Sequence, residues 1–281
     1  MIIDSHVHLF PKAVVREREK FFKDEPSFEL IYSHQKSRLA DSENLLNMMD
    51  SEHIDHAFVL GFPWKNINIA RMHNDCLLEM SAKYADRISC FCCVDPSSEG
   101  ALQEVERGLN CGAAGIGEIA FYDRGFDEEV IKILAPLMAI CREKNTAVIL
   151  HTNEPVGRLY PGKAPMTIRQ IYDLVSCFNK NKLVLSHLGG GLCFFHLMKH
   201  SAGVGFENVF YDTAAIPFLY DPAVYQIAMA SAGSDKFIFG SDFPLISPSR
   251  YFNDFLKASL PPDLKESLLY KNAKNIFSLA I

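Results

Sequence analysis

Short apolar runs alternate with amphipathic stretches of helical length from one end of the chain to the other. Apolar runs of about four to eight residues are typical of buried strands, whereas apolar residues spaced three and four apart are typical of helices. The predicted strands are Ile2–Ser5, Ala57–Gly61, Ile88–Val94, Ala114–Glu118, Ala147–His151, Leu183–His187, Val209–Asp212 and Phe237–Gly240. The predicted helices are Ser42–Glu52, Asn68–Tyr84, Glu99–Cys111, Glu128–Lys144, Met166–Asn179, Gly191–Val204, Pro222–Ala232, Arg250–Leu256 and Pro262–Phe277.

Eight strands that alternate with helices favour a parallel (β/α)8 barrel, the TIM-barrel type of α/β fold, formed as one domain over residues 1–281. An open doubly wound sheet is the alternative, and it predicts a glycine-rich phosphate loop after the first strand. The residues that follow the first strand, from His6 to Phe10, include no glycine. The barrel is therefore the favoured fold class.

The connection after the first strand is long and aromatic. It runs from residue 11 to residue 40 and contains Phe21, Phe22, Phe28 and Tyr32. A loop of this length in a compact domain is more often functional than disordered. We therefore predict that residues 11–40 form an insertion that acts as a lid or binding loop.

Composition limits the partners and the location that we expect. The net charge of −6 leaves no basic surface of the kind that nucleic acid requires. The chain shows neither a signal-peptide pattern nor an apolar stretch of about 18 residues that could span a bilayer. The eight cysteines have no zinc-ribbon or redox spacing, as expected for reduced thiols. We expect a cytoplasmic protein that acts on a small molecule and binds neither nucleic acid nor membrane.

Polar residues follow the predicted strands at the end where a barrel places its active site. His6 and His8 are two residues apart on an extended chain, so both imidazoles project to the same side and can reach one ion. Equivalent positions at the ends of later strands hold Glu118, His151, His187 and Asp242. Each of these residues alone has an ordinary structural explanation. Together they predict a catalytic metal site with nitrogen and oxygen ligands.

The order of these motifs resembles the amidohydrolase superfamily. The matching segments are residues 4–8 (Asp-Ser-His-Val-His), His151, residues 186–190 (Ser-His-Leu-Gly-Gly) and residues 240–244 (Gly-Ser-Asp-Phe-Pro). More narrowly, they are similar to the amidohydrolase-2 branch that includes aminocarboxymuconate-semialdehyde decarboxylase, over essentially the whole chain. The resemblance implies a homodimer and a TIM barrel. It also implies a metal bound by His6, His8, His151 and Asp242, with His187 as the catalytic histidine of strand six.

The end of the fourth strand departs from the binuclear members of that superfamily. The segment 115–119 (Gly-Ile-Gly-Glu-Ile) has no lysine that could be carbamylated between two metals. Its Gly-Glu-Ile is similar to TatD-like DNases, in which the glutamate contacts metal. Glu118 is thus expected either to recruit or bridge a second ion, or to hydrogen-bond to a ligand of the first. We expect one ion, with zinc as the first choice and manganese, iron or cobalt as alternatives.

The main functional prediction is hydrolysis of an amide, ester or lactone bond in a small, carboxylate-bearing molecule. A divalent ion lowers the pKa of its bound water from about 15.7 towards about 7, which supplies hydroxide at neutral pH. Asp242 would take the proton and His187 would stabilise the carbonyl oxygen. Cations on the loops after strands four and five are predicted to bind the substrate carboxylate: Arg124, Arg158 and Lys163.

Two alternatives to hydrolysis stay open at this point. The first is non-oxidative decarboxylation of a small aromatic or unsaturated acid, in which the metal binds the carboxylate side and His187 handles protons. Release of carbon dioxide distinguishes it from hydrolysis. The second is a metal-binding barrel that has lost catalysis and serves as a scaffold, which the complete set of candidate ligands disfavours.

Overall fold

Eight parallel strands form one sheet in which neighbours follow the order of the chain. The computed structural model describes residues 1–199 and 205–279. Its strands are β1 Ile3–His8, β2 His56–Leu60, β3 Ile88–Cys92, β4 Gly115–Ile119, β5 Ala147–Leu150, β6 Lys182–Leu185, β7 Val209–Asp212 and β8 Phe237–Ile238. The segment after β8 returns to β1, because the backbone N–H of Ser5 donates to the carbonyl of Phe239 and that of His8 to Phe243, each at 2.8 Å. The predicted (β/α)8 barrel is confirmed.

Helices connect successive strands and surround the sheet, as the alternating sequence pattern predicts. The helices of the described residues are α1 Lys12–Arg16, α2 Pro26–Tyr32, α3 Ser42–Ser51, α4 Ile67–Lys83, α5 Ala101–Asn110, α6 Glu128–Glu143, α7 Ile168–Cys177, α8 Ser186–Gly189, α9 Ile216–Leu219, α10 Val224–Ala232, α11 Pro248–Lys257, α12 Pro262–Glu266 and α13 Asn272–Phe277. Shorter 3₁₀ turns cover Arg18–Phe21, Leu192–Leu197, Phe206–Asn208 and Ser234–Lys236, and a π-helical turn covers Ser267–Lys271. Within the described parts of the chain, no helix combines the length and apolarity needed to cross a bilayer.

The inside of the barrel is apolar below the strand ends. Side chains from several strands meet there, among them Ile3, Phe58, Phe91, Ile149 and Ile238. The ring of Phe277 from α13 lies 4.5 Å from that of Phe58 and covers this cluster. Successive side chains of a strand alternate between its faces, so His151, two residues after Ile149, points to the same interior. The inward face of the strands thus carries apolar side chains inside the barrel and polar side chains at the carboxyl end of the strands.

The segment after α8 differs from its prediction as a helix over Gly191–Val204. A 3₁₀ turn over Leu192–Leu197 takes its place, and residues 200–204 of that prediction lie outside the described residues. Gly189, Gly190 and Gly191 have φ values of +64°, +60° and +96°. Three consecutive residues in the left-handed region turn the chain where a helix would have to begin, and only glycine adopts that conformation without cost.

The insertion over residues 11–40 folds onto the segment that follows β2. Phe28 of α2 is buried, and its ring lies 4.4 Å from that of Trp64. The carboxylate of Glu25 accepts the backbone N–H groups of Lys65 at 3.0 Å and Asn66 at 2.7 Å. These contacts attach the insertion beside the strand ends. Its action as a lid stays a prediction.

Candidate metal centre

Four donor atoms meet at the carboxyl end of β1. The Nε2 atoms of His6 and His8 lie 3.2 Å apart. Oδ1 of Asp242 lies 3.7 Å from the first and 3.3 Å from the second. Oε2 of Glu118 lies 3.9 Å and 3.7 Å from the same two nitrogens. Donors that share one cation at bond lengths of about 2.0–2.2 Å are spaced by about 3–4 Å, so these atoms have the separation of a ligand set.

The other oxygen of Glu118 faces two further histidines. Its Oε1 lies 3.2 Å from Nδ1 of His151 and 3.8 Å from Nε2 of His187. These two ring nitrogens are themselves 3.3 Å apart. All six residues predicted at the strand ends therefore belong to one connected cluster. Five are at most 8% exposed, and the side chain of His8 is 14% exposed.

Hydrogen bonds on the outer side of three imidazoles decide which nitrogen faces the cluster. His6 Nδ1 donates to Asp212 Oδ2 at 2.8 Å, His151 Nε2 to the Gly162 carbonyl at 2.9 Å, and His187 Nδ1 to the Ala214 carbonyl at 2.8 Å. Carbonyl and carboxylate oxygens only accept, so these outer nitrogens carry the protons. The neutral rings therefore turn their lone pairs inward, which is the arrangement of histidines that ligate metal.

Burial and charge act in opposite directions on the pKa values of the cluster. Burial alone lowers the pKa of His6, but the carboxylates of Asp212 and Glu118 raise it to about 10. Burial raises the pKa of Asp242, but the hydrogen bond with His8 and the charge of His6 lower it to about 2. Both shifts favour positive charge at the centre of the cluster. A divalent cation supplies that charge in place of protons, and the donor set fits it.

Close approach of β8 to β1 aligns two of the donors. A Cβ atom on Gly240 would lie 2.6 Å from Cβ of His6, so only glycine fits at this position. The backbone N–H of Asp242 donates to the carbonyl of His6 at 2.9 Å. Asp242 has a φ of +61° and His187 a φ of +57°. Non-glycine residues in this region cost on the order of 1 kcal/mol or more, and such conformations concentrate at functional sites.

Two buried carboxyl groups next to the cluster, those of Asp212 and Asp4, were not among the residues predicted from the sequence. Asp212 ends β7, so the rule that selected the other strand-end residues also applies to it. Asp4 lies within β1, where its Oδ1 accepts the backbone N–H of Ser241 at 2.8 Å and that of His6 at 3.3 Å. The Gly162 carbonyl that orients His151 has no signal in the sequence, because any residue carries a carbonyl.

The three cations predicted to bind substrate lie on the loops after β4 and β5. Arg124 forms an ion pair at 2.8 Å with Glu129, in the first turn of α6. The ammonium group of Lys163 is bound by Glu154 Oε1 at 2.7 Å and by the carbonyl of Arg158 at 3.2 Å. Arg158 is exposed. Ion pairs already occupy Arg124 and Lys163, and the substrate-binding role of all three residues stays a prediction.

Comparison with known proteins identifies a family and several structures of similar fold. Residues 3–279 match the model of the family described as Amidohydrolase. No curated protein matches the chain.

Similar solved structures include 5-carboxyvanillate decarboxylase from Sphingomonas paucimobilis, with 17% identity, 99% of both chains covered and a TM-score of 0.79. A 2,6-dihydroxybenzoate decarboxylase from Rhizobium has 16% identity, coverage of 99% of this chain and 98% of that one, and a TM-score of 0.70. A dihydroxybenzoic acid decarboxylase from Polaromonas sp. JS666, with bound manganese and the inhibitor 2-nitroresorcinol, has 20% identity, coverage of 99% and 97%, and a TM-score of 0.72.

These comparisons correct the predicted reaction. The similar structures just described are decarboxylases, which are carbon–carbon lyases. Our prediction of a hydrolase that cleaves an amide, ester or lactone was therefore wrong. The comparisons favour the alternative, metal-dependent decarboxylation of a small aromatic acid.

Proposed function

We propose that this chain, which belongs to the amidohydrolase family, is a metal-dependent decarboxylase that releases carbon dioxide from a small aromatic acid. The observation that carries the proposal is likeness in fold to 5-carboxyvanillate decarboxylase over 99% of both chains. Because fold alone does not determine function, the reaction must also be supported by the side chains of the site. Three features of the site support it.

The first feature is the inward-facing donor set. His6, His8, Asp242 and Glu118 would hold a divalent cation, and imidazole with carboxylate suits manganese, iron or zinc. We propose manganese ahead of zinc, because the dihydroxybenzoic acid decarboxylase of similar fold binds manganese. When bound, the cation offers positive charge that draws electron density from substrate oxygens as carbon dioxide leaves.

The second feature is an aromatic wall beside the donors, formed by Tyr122, Phe62 and Tyr32. The Tyr122 ring lies 5.0 Å from that of His151. Phe62 is stacked on Tyr122, with centroids 6.3 Å apart and planes 19° apart, and Tyr32 of the insertion lies 6.0 Å from Phe62. Aromatic rings pack favourably against one another in offset and edge-on arrangements. Phe62 and Tyr32 are buried and support the partly exposed Tyr122, whose ring would pack against a flat aromatic substrate with its carboxylate at the donor cluster.

The third feature is a carboxylate placed to move a proton. Loss of carbon dioxide leaves an electron pair on the ring carbon, which must take up a proton. Asp242 is the proposed carrier: its side chain is 11% exposed, so it can take a proton from solvent water and pass it to that carbon, whereas the side chain of His6 is fully buried. His187 donates its Nδ1 proton to the Ala214 carbonyl, so the neutral ring has none on Nε2 to deliver. We therefore assign to His187 the role of presenting a lone pair to a cation or to substrate.

The test is carbon dioxide release from a panel of aromatic acids, measured by membrane-inlet mass spectrometry. The panel contains 5-carboxyvanillate, 2,6-dihydroxybenzoate and their isomers, each assayed with chelator-treated and manganese-loaded protein. We expect release that depends on manganese and falls by about 10²–10⁴-fold in Asp242→Asn, the range of general acid–base contributions. Asp235→Asn, at an exposed position, is the matched control. Release no faster than that of the chelated protein for every acid would refute the proposal.

A further inference from the structure

We infer that Lys163 is a positioning residue for His151: its ion pair with Glu154 holds the loop after β5 in the shape that brings the Gly162 carbonyl to the imidazole. This role rests on the metal-binding part of the proposed function and goes beyond it, because it adds a residue that contacts neither metal nor substrate. It also differs from the substrate binding that the sequence predicts for Lys163. The loop comprises residues 153–164, between β5 and α7.

Hydrogen bonds between its two ends close this loop. The backbone N–H of Ala164 donates to Oδ1 of Asn153 at 2.8 Å, and Nδ2 of Asn153 donates to the Ala164 carbonyl at 3.1 Å, both in buried positions. A Cβ atom on Gly190 would lie 2.3 Å from the Asn153 carbonyl oxygen, so the first end of the loop packs directly against the backbone that follows α8. With the ends fixed, the residues between them decide where the Gly162 carbonyl lies.

The ammonium group of Lys163 is enclosed by the loop itself. The side chain of Lys163 is 6% exposed, and that of Glu154 is 15% exposed. Nζ donates to Glu154 Oε1 at 2.7 Å, to the Val156 carbonyl at 2.6 Å and to the Arg158 carbonyl at 3.2 Å. An ammonium group has three N–H donors, and these three acceptors use all of them. The charge of Lys163 therefore stabilises the loop and leaves no donor for a substrate carboxylate.

The second oxygen of Glu154 extends the network to Tyr160. The Tyr160 hydroxyl donates to Glu154 Oε2 at 2.8 Å, and Nζ of Lys163 lies 5.5 Å from the centroid of the Tyr160 ring. The backbone N–H of Lys163 donates to the Tyr160 carbonyl at 3.1 Å, which makes residues 160–163 a turn. Gly162 lies inside this turn with a φ of +92°, a conformation that glycine adopts readily. The network of Glu154 thus holds both ends of the turn that contains Gly162.

The Gly162 carbonyl orients the imidazole of His151. It accepts the Nε2–H of His151 at 2.9 Å, on the side of the ring away from the donor cluster. While this bond is formed, the Nδ1 lone pair of His151 faces the cluster, 3.3 Å from Nε2 of His187. Outer partners of this kind fix the tautomer and the ring orientation of a metal ligand. Without the ammonium group, a carboxylate and two carbonyls lose their donor, so we expect the loop to rearrange towards water and to move the Gly162 carbonyl.

The test compares Lys163→Met with Arg158→Met. Both variants remove one positive charge from the loop, but Arg158 is exposed and its carbonyl stays in place. Loss of a positive charge by itself favours binding of a nearby cation, so an effect of charge alone lowers the Kd for Mn²⁺. In Lys163→Met we expect the opposite, a Kd raised by about tenfold, measured by isothermal titration calorimetry on chelator-treated protein. Arg158→Met should bind Mn²⁺ no more weakly than the native protein, and circular dichroism confirms that each variant is folded.

A double variant tests whether Lys163 acts through Glu154. Glu154→Gln alone should raise the Kd by a factor similar to that of Lys163→Met. The two changes together should raise it no more than either one, because both remove the same interaction. A rise of about a hundredfold, the product of two independent effects, would overturn the inference.

A spectroscopic readout on the loaded protein tests the effect on the ligands directly. The visible absorption bands of bound Co²⁺ depend on the geometry of its ligands. They should shift in Lys163→Met and stay unchanged in Arg158→Met. Identical bands in the native protein and in Lys163→Met would overturn the inference.

Kinetic constants separate positioning from substrate binding. At saturating Mn²⁺, Lys163→Met should have a lower kcat for carbon dioxide release and a KM close to that of the native protein. An unchanged Kd for Mn²⁺ with a raised KM would place Lys163 at the substrate and overturn the inference. If Lys163→Met weakens Mn²⁺ binding but no acid of the panel releases carbon dioxide, the proposed function fails and the positioning role stands. Release of carbon dioxide with an unchanged Kd in Lys163→Met does the reverse.

Discussion

Asp212 Oδ2, at the end of β7, accepts the Nδ1–H of His6 in β1 at 2.8 Å, although β8 lies between these two strands. Its other oxygen accepts the backbone N–H of His187 at 2.9 Å and that of Ala214 at 3.0 Å. One buried carboxylate thus orients the imidazole of His6, a proposed metal ligand, and holds the turn that carries His187. Partners of this kind fix the tautomer of a ligand and raise its basicity.

Asp212→Asn should weaken manganese binding without unfolding the protein. The amide keeps the size of the side chain but removes the charge that stabilises the inward-facing tautomer of His6. We expect the Kd for Mn²⁺ to rise by about 10–100-fold, measured by isothermal titration calorimetry on chelator-treated protein. Asp235→Asn, on the surface, should leave the Kd unchanged. An unchanged Kd in a folded Asp212→Asn variant would show that the hydrogen bond between Asp212 and His6 does not affect the affinity for Mn²⁺.

A buried histidine outside the cluster, His73, should make stability depend on pH. Its Nδ1 accepts the Trp64 Nε1–H at 2.9 Å, and its Nε2–H donates to the Leu9 carbonyl at 2.6 Å. Burial lowers the pKa of His73 to about 4, whereas the unfolded chain has a pKa of about 6.5. As the pH falls below about 6.5 the unfolded state therefore takes up the proton first. The stability that comes from neutral His73 is complete above that pH and is lost towards pH 4.

Urea unfolding of the native protein and of His73→Gln tests this linkage. Other titrating groups affect both proteins alike, so the difference in their free energies of unfolding isolates His73. Between pH 7 and pH 5 we expect this difference to shrink by about 2 kcal/mol, from the shift in pKa. A difference that stays constant between the two pH values would mean that His73 is not neutral in the fold.

Much of the site could be predicted because strand ends in a barrel converge whatever the distance in sequence. His151 follows the apolar run that forms β5, and the two-residue alternation that buries Ile149 also directs His151 inward. Asp242 follows β8 by the same logic, with Gly240 marking the close approach to β1. These features depend on local pattern, which the sequence contains.

Other features depend on distances between strands, which no local pattern contains. The division of the donors into two groups follows from how the two oxygens of Glu118 are turned, and that is decided by packing across four strands. The hydrogen-bond acceptors on the outer side of His151 and His187 are backbone carbonyls, which every residue carries, so no residue type marks them in the sequence. The helix predicted over Gly191–Val204 failed because apolar spacing favoured it while three left-handed glycines prevented its start.

Removing the carboxylate of Glu25 should detach the insertion (residues 11–40) from the segment that follows β2. Glu25 is buried and accepts the backbone N–H groups of Lys65 and Asn66, and hydrogen bonds to a charged group contribute about 1.5–3 kcal/mol each. In Glu25→Ala we expect tryptic cleavage within residues 11–40 to accelerate by about tenfold or more, because cleavage follows the population of the opened segment. Glu29→Ala removes an exposed carboxylate from α2, the helix that directly follows Glu25, and should cleave like the native protein. Equal cleavage rates for the two variants would show that Glu25 does not hold the insertion in place.

Substrate affinity should depend on the aromatic ring of Tyr122 more than on its hydroxyl group. The ring of Tyr122 is stacked on Phe62 and lies 5.0 Å from His151, so a bound aromatic acid would pack against it. An aromatic pair contributes about 0.5–1.5 kcal/mol beyond the area that it buries, which corresponds to a rise in KM of about 2–13-fold in Tyr122→Leu. Tyr122→Phe keeps the ring and should retain a KM close to that of the native protein. Metal content, measured in parallel, must be equal in all three proteins, because a loss of metal would change kcat through His151 instead. Equal KM values for Tyr122→Leu and the native protein would place the aromatic substrate elsewhere in the barrel mouth.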